Sequence, residues 1–192
     1  MIKSKTDLKQ YLLEDKIALD KHTKRPRFKH DIIWTYQILL RKCEYYTNCR
    51  HDILGKIYCK FLKLRFVSLS QKLGFLIPFN VFDKGLSIAH YGALVVNENA
   101  VVGENCRIHE GVTIGVSGDS YWGDQDGEAP TIGNNVFIAT GAKIIGNVHI
   151  ADGVAIGANA VVVKDITEPK TTWGGVPAKK ISDNGSGKYI KS

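Results

Sequence analysis

The chain has 192 residues, 44% of them hydrophobic, with 26 Lys/Arg against 19 Asp/Glu for a net charge of +7. That is room for one sizeable core and a smaller element, and no run of about 18 apolar residues is present to span a bilayer. Its four cysteines, Cys43, Cys49, Cys59 and Cys106, form no C-x-x-C pair, which removes the usual zinc and dithiol motifs.

The charge is concentrated at the front. Residues 1–75 hold 17 Lys/Arg against 7 Asp/Glu, whereas residues 76–192 hold 9 against 12. A basic front can face an anionic membrane surface or an acidic polymer, while a solvated helical face is the simpler reading. No aromatic-plus-basic RNA motif or zinc-finger spacing accompanies it, so no nucleic-acid partner is expected. The opening MIKSKTDLKQYLLEDK carries charges throughout and no apolar signal core, which predicts a cytoplasmic protein.

In chain order, residues 1–75 read as an α-helical region. Apolar residues at Ile32, Tyr36, Leu39 and Leu40 keep a helical period, with Asp31 as the expected N-cap. A second amphipathic run over 52–72 carries Ile53, Ile57, Phe61, Leu64 and Leu69, and Gly74 and Pro78 mark the end of the helices. These helices are expected to cover an open edge of the domain beyond them.

Beyond Pro78 the chain takes up a six-residue beat. Ile132, Ile138, Ile144, Ile150, Ile156 and Val162 recur every six positions, and the phase extends upstream through Val96, Val102, Ile108 and Ile114. Small or β-branched residues sit four positions on, among them Ala100, Cys106, Val112, Val136, Ala142 and Val148. Neither a helix nor a plain strand has this period. It predicts a mainly β domain over 76–181, a parallel β-helix of hexapeptide repeats with about five coils of roughly 18 residues each. Residues 182–192 read as a flexible tail.

The beat fails in three places. His90 falls where the phase calls for an aliphatic residue. After Ile114 the hexads give way to VSGDSYWGDQDGEAPT, expected to leave one corner as a loop. WGGVPAKKI ends the last coil. An 18-residue coil puts His109 one rung from His90 and one position along, so two imidazoles would share a corner. Imidazole titrates near neutral pH and can draw a proton from a hydroxyl. Zinc is not expected: the residue five after His109 is Ile114, so the histidine spacing of hexapeptide carbonic anhydrases is missing, and no Walker lysine points to nucleotide phosphates.

Residues 78–181, through GLSIAHYGALVV, CRIHEGVTIG, IATGAKIIGNVHIADGVAIGANAVVVKD and GVPAKKI, resemble the serine acetyltransferase branch of the left-handed β-helix acyltransferases. The resemblance implies a homotrimer with acetyl-CoA as co-substrate in a groove between neighbouring solenoids, and no metal. It implies His90 as general base, with His109 as a second catalytic candidate and Gly115 or Ser117 beside the oxyanion. Carried over by position, Gly115, Ser117, Thr140, Ala158, Pro177, Lys179 and Lys180 would line the CoA site. Asp119, Tyr121, Trp122 and Asp124 of the loop are the acceptor-site candidates, through ring stacking and hydroxyl contacts.

The departures matter as much. The family's aspartate before the histidine is Ala89 here, its Arg-His before the loop proline is Glu128-Ala129, and its base-orienting aspartate aligns with Phe75. Asp83 or Glu110 could orient the base instead. With the charges that hold a free amino acid gone, the expected acceptor is a sugar hydroxyl of a surface polysaccharide. Serine O-acetylation for cysteine biosynthesis and a non-catalytic scaffold are the alternatives.

Overall fold

The structure, a computed structural model, describes residues 1–27, 29–117 and 129–191. It opens with three helices, α1 (Lys5–Ala18), α2 (Ile32–Cys49) and α3 (Ile53–Leu73). Local chemistry sets their ends. The Ser4 hydroxyl accepts from the Asp7 amide at 3.0 Å and Asp52 accepts from the Gly55 amide at 3.0 Å, each satisfying an orphan donor. Gly74 closes α3 in the left-handed region at φ 77°. Asp31 stands at the N-cap position of α2 without capping it. Its carboxylate is taken by Lys21 Nζ at 2.6 Å and by the Arg27 amide and Nε at 2.9 and 3.1 Å.

The beat becomes a three-faced solenoid. The first face stacks β1 (Phe75–Leu76), β3 (Leu94–Val96), β6 (Thr113–Gly115), β9 (Lys143–Ile145) and β12 (Val161–Val162). The second stacks β4 (Val101–Val102), β7 (Thr131–Ile132) and β10 (His149–Ile150), extended by bridges to Phe82 and Ile166. The third stacks β2 (Ser87–Ile88), β5 (Arg107–Ile108), β8 (Phe137–Ile138), β11 (Ala155–Ile156) and β13 (Thr172–Gly174). All these pairings are parallel, and an antiparallel β14 (Lys179–Ser182) closes the third sheet. The ladder residues point inward as expected: Ile108, Ile114, Ile138, Ile144 and Ile156 are fully buried in one continuous core. Asn105, Asn135 and Asn159 turn corners at φ 54–56°, a conformation asparagine tolerates. At Gly141, φ 76°, a Cβ would lie 2.1 Å from the Asn159 side-chain oxygen, so only glycine fits that corner.

The helices cover the first coil by hydrogen bonding to its unpaired edge, which is what that edge requires. The Gln37 amide donates to Leu86 O at 2.7 Å and accepts from the Ile88 amide at 3.2 Å, standing in for a missing strand. Asp15 accepts from the Leu86 amide at 2.9 Å, and Arg41 donates to Phe82 O and Asp83 O at 2.8 and 2.7 Å. The other end of the chain also packs. Ser186 is buried, with its amide donating to Gly153 O at 2.9 Å, and the Tyr189 ring stacks on Phe137 at 4.3 Å. Within the segment expected as a flexible tail, Tyr189 thus finds a partner on the third face and Ser186 finds one at the corner that leads into it.

Candidate active site

Pairing fixes where each candidate stands. Ile88 pairs with Ile108 and Val96 with Ile114, so the first coil holds two extra residues between those rungs. They widen the corner Ala89–Ala93 and lift His90 out of the ladder position that six-residue counting assigns to it. The ladder passes through Ile88 and Val96 instead, both buried, and His90 is exposed at the corner. The neighbouring rung places His109 beside it, with ring centroids 5.4 Å apart and edge-to-face at 78°. Thr140 and Ala158 occupy the same corner on the next two rungs, between β8 and β9 and between β11 and β12, and both are exposed.

Glu110 completes the cluster. Its Oε1 accepts from the Thr140 hydroxyl at 3.1 Å, and ligand-type atoms of His90, His109 and Glu110 all lie within 4.8 Å of one another. Two buried atoms there lack a hydrogen-bond partner, His109 Nε2 and Glu110 Oε2, an arrangement that costs stability unless something binds. Burial, then the Arg107 and His90 charges, hold His109 below the usual histidine range, with Glu110 opposing them. Imidazole at this position therefore favours its neutral form, able to accept a proton. The Glu110 carboxyl is lowered by its own backbone amide first, then by the Thr140 hydroxyl and the two histidines. A divalent cation would find two nitrogens and a carboxylate here, but the same lone pairs are what a proton acceptor needs. Glu110→Gln is expected to drop the His109 pKa further, since the one group raising it is lost; a rise in an NMR pH titration would contradict that electrostatic reading.

The remaining candidates divide. Gly115 and Ser117 lie at the far end of the first face, where Gly115 O accepts from the Gly146 amide at 2.9 Å. Pro177 and Lys179 line a small cavity of about 280 Å³ with Trp173 and Val162 near the end of the solenoid. Lys180 is ion-paired with Glu168 and, at 2.6 Å, with Asp183, so its charge is already engaged. Asp119, Tyr121, Trp122 and Asp124 lie outside the described residues. Asp83, one of two residues expected to orient the base, accepts from the Tyr11 hydroxyl and the Lys84 amide; Glu110 is the one beside the histidines. A cleft of about 270 Å³ that sequence reading missed opens between the helical front and the first coil, walled by Trp34, Ala89, Tyr91 and Arg107. Its walls come from residues as distant in sequence as Leu19 and Arg107, so no local signal announces it.

The bacterial transferase hexapeptide (six repeats) family matches residues 129–164. A serine acetyltransferase of Synechococcus elongatus is 39% identical over 103 residues, 53% of this chain and 40% of that protein. One from Staphylococcus aureus is 37% identical over 140 residues, 70% of this chain and 63% of that protein. The chain thus spans less than two thirds of the length of these relatives. The crystal structure of a Brucella abortus serine acetyltransferase in complex with coenzyme A superposes with a TM-score of 0.63 at 27% identity, covering 94% of this chain and 68% of that one. The left-handed hexapeptide solenoid with a helical front is thereby the fold of this chain, and the chain resembles the serine acetyltransferase-like acyltransferases.

Proposed function

We propose that this chain, whose solenoid resembles those of the serine acetyltransferase-like hexapeptide acyltransferases, moves an acetyl group from acetyl-CoA directly to an acceptor hydroxyl. The observation that carries the reading is the His90–His109–Glu110 corner on such a solenoid. His90, exposed to an incoming acceptor, takes the hydroxyl proton as the oxygen attacks the thioester carbonyl. A C–O bond forms, the C–S bond breaks, and the proton passes to the leaving thiolate to give free CoA. Thr140 and Ala158 extend from the histidines along the same corner, and side chains this small let the pantetheine arm lie close to the backbone. Gly115 and Ser117 sit on the next corner of the same chain, so a groove that uses both sets is best completed by a neighbouring copy, in keeping with a homotrimer. Of the lysines, Lys179 is the better phosphate partner, since Lys180 is held by Glu168 and Asp183.

Serine is the acceptor with most support. The relatives are serine acetyltransferases, and Glu110 supplies a carboxylate oxygen without a partner next to the base, which an ammonium group would satisfy. Arg107, at the wall of the adjoining cleft, is a candidate partner for the acceptor carboxylate. A saccharide hydroxyl is the second reading, favoured by Ala89 standing directly before His90 where those enzymes keep a charge. Thiol release from acetyl-CoA, monitored with serine and with a panel of saccharides, separates them. Serine-dependent release is the expected result. Release with a saccharide alone would transfer the assignment to the second reading, and release with neither would overturn acetyl transfer.

A further inference from the structure

Helix α3 has two apolar faces, and only one is used. Cys59, Leu62, Phe66 and Leu73 are buried against the rest of the molecule. On the opposite side, Ile53, Leu54 and Leu64 are 78%, 77% and 72% exposed, and Ile57, Phe61 and Val67 are more than half exposed. With 3.6 residues per turn, these six form one continuous stripe. The same helix carries Lys56, Lys60, Lys63, Arg65 and Lys72 and not one Asp or Glu. Helical spacing sets Lys56, Lys60 and Lys63 along one edge of the stripe and Arg65 and Lys72 along the other. No described helix is long and apolar enough to cross a membrane.

An unused apolar stripe edged on both sides by cations has a specific complement. Nucleic acid would answer the cations but leave six large hydrophobic side chains against phosphate and water. A second copy of the helix would bury the stripe but bring cations against cations with no carboxylate in the element to answer them. An anionic lipid surface answers both, with acyl chains for the stripe and headgroup phosphates for the lysines. We propose that α3 is an interfacial membrane-docking helix that seats the chain on anionic bilayers. The consequence reaches the active corner, because α3 ends there: the Gly92 amide donates to Leu73 O at 3.0 Å, two residues beyond His90. Docking would hold His90 at a fixed height above the lipid surface, within reach of an acceptor presented there.

The test is co-sedimentation of the full chain with vesicles. Binding is expected to phosphatidylcholine–phosphatidylserine vesicles and not to phosphatidylcholine alone, and to weaken as salt rises. Lys56→Glu, Lys60→Glu and Lys63→Glu together should lower the partition coefficient at least ~100-fold, from roughly fivefold per cation removed. Ile57→Glu with Leu64→Glu should abolish binding while circular dichroism stays unchanged, both residues being exposed. Failure to sediment with the anionic vesicles overturns the proposal. So does binding indifferent to these substitutions, or a concentration-dependent self-association that they abolish, which would give the stripe to a second copy. Acetyl transfer in detergent-free solution is read separately, so the docking result stands apart from the catalytic one.

Discussion

His90→Ala is expected to lower kcat for acetyl transfer by ~10²–10⁴-fold, the usual share of a positioned general base. Folding should be unaffected, since His90 is exposed at a corner and holds no core position. KM for acetyl-CoA should change little, because the small-residue column from Thr140 to Ala158 is untouched. The contrast that makes this informative is with its neighbours. His109 is partly buried with Nε2 unpartnered, and Glu110 is tied to Thr140, so both are positioned to orient His90 or the acceptor. His109→Asn and Glu110→Gln should therefore cost less in kcat than His90→Ala and shift the pH profile. Turnover retained in His90→Ala, with His109→Asn inactive, would exchange the roles of the two imidazoles. The shared corner makes both orders physically possible, and the rate ratio decides.

The solenoid was legible because each inward residue repeats a local requirement. Ile132 to Val162 are spaced by the geometry of one flat face, and burial of that ladder is its direct consequence. The same arithmetic misplaced His90, since it assumed an unbroken count where the first coil holds a corner two residues longer than its neighbour. The pairing of His90 with His109 emerged nonetheless, because the longer corner brings the exposed imidazole over the next rung. Glu110 was readable only as one of two choices; its position beside both rings depends on the rung spacing, whereas Asp83 is captured by Tyr11 across 72 positions of sequence. Helix α1 gave no apolar stripe to read, and what holds it to the first coil is a polar cluster assembled from distant segments. Long-range electrostatics of that kind leaves no periodic trace. The contacts of Ser186 and Tyr189 likewise depend on Asn135 and Phe137 presenting partners that exist only after the coils stack.

That polar cluster carries the largest expected loss of stability. Arg41 is fully buried, and a guanidinium has five N–H donors to satisfy. Each finds an acceptor: Asp15 Oδ2 at 2.8 Å and Oδ1 at 3.2 Å, Glu44 Oε2 at 3.1 Å, Phe82 O at 2.8 Å and Asp83 O at 2.7 Å. The two carboxylates are in turn spent on the solenoid, since Asp15 accepts from the Leu86 amide and Glu44 from the Asn80 amide. One side chain thus joins α1, α2 and the edge of the first coil, a few residues before His90. Arg41→Met would bury two carboxylates without their counterion and leave two carbonyls unsatisfied. The cost expected from breaking such a pair on one side is about 3–5 kcal/mol, a large part of a typical domain's stability. Arg41→Lys keeps the charge but offers three donors in place of a five-donor fork, so its loss should be smaller. Urea unfolding of the three proteins measures both steps. Because the cluster sits between the helices and the coil that carries His90, Arg41→Met should also lose acetyl transfer as the front loosens. A variant as stable as wild type would mean that the helical front is held by its apolar contacts alone, and that the cluster serves only to fix which edge of the solenoid the helices cover.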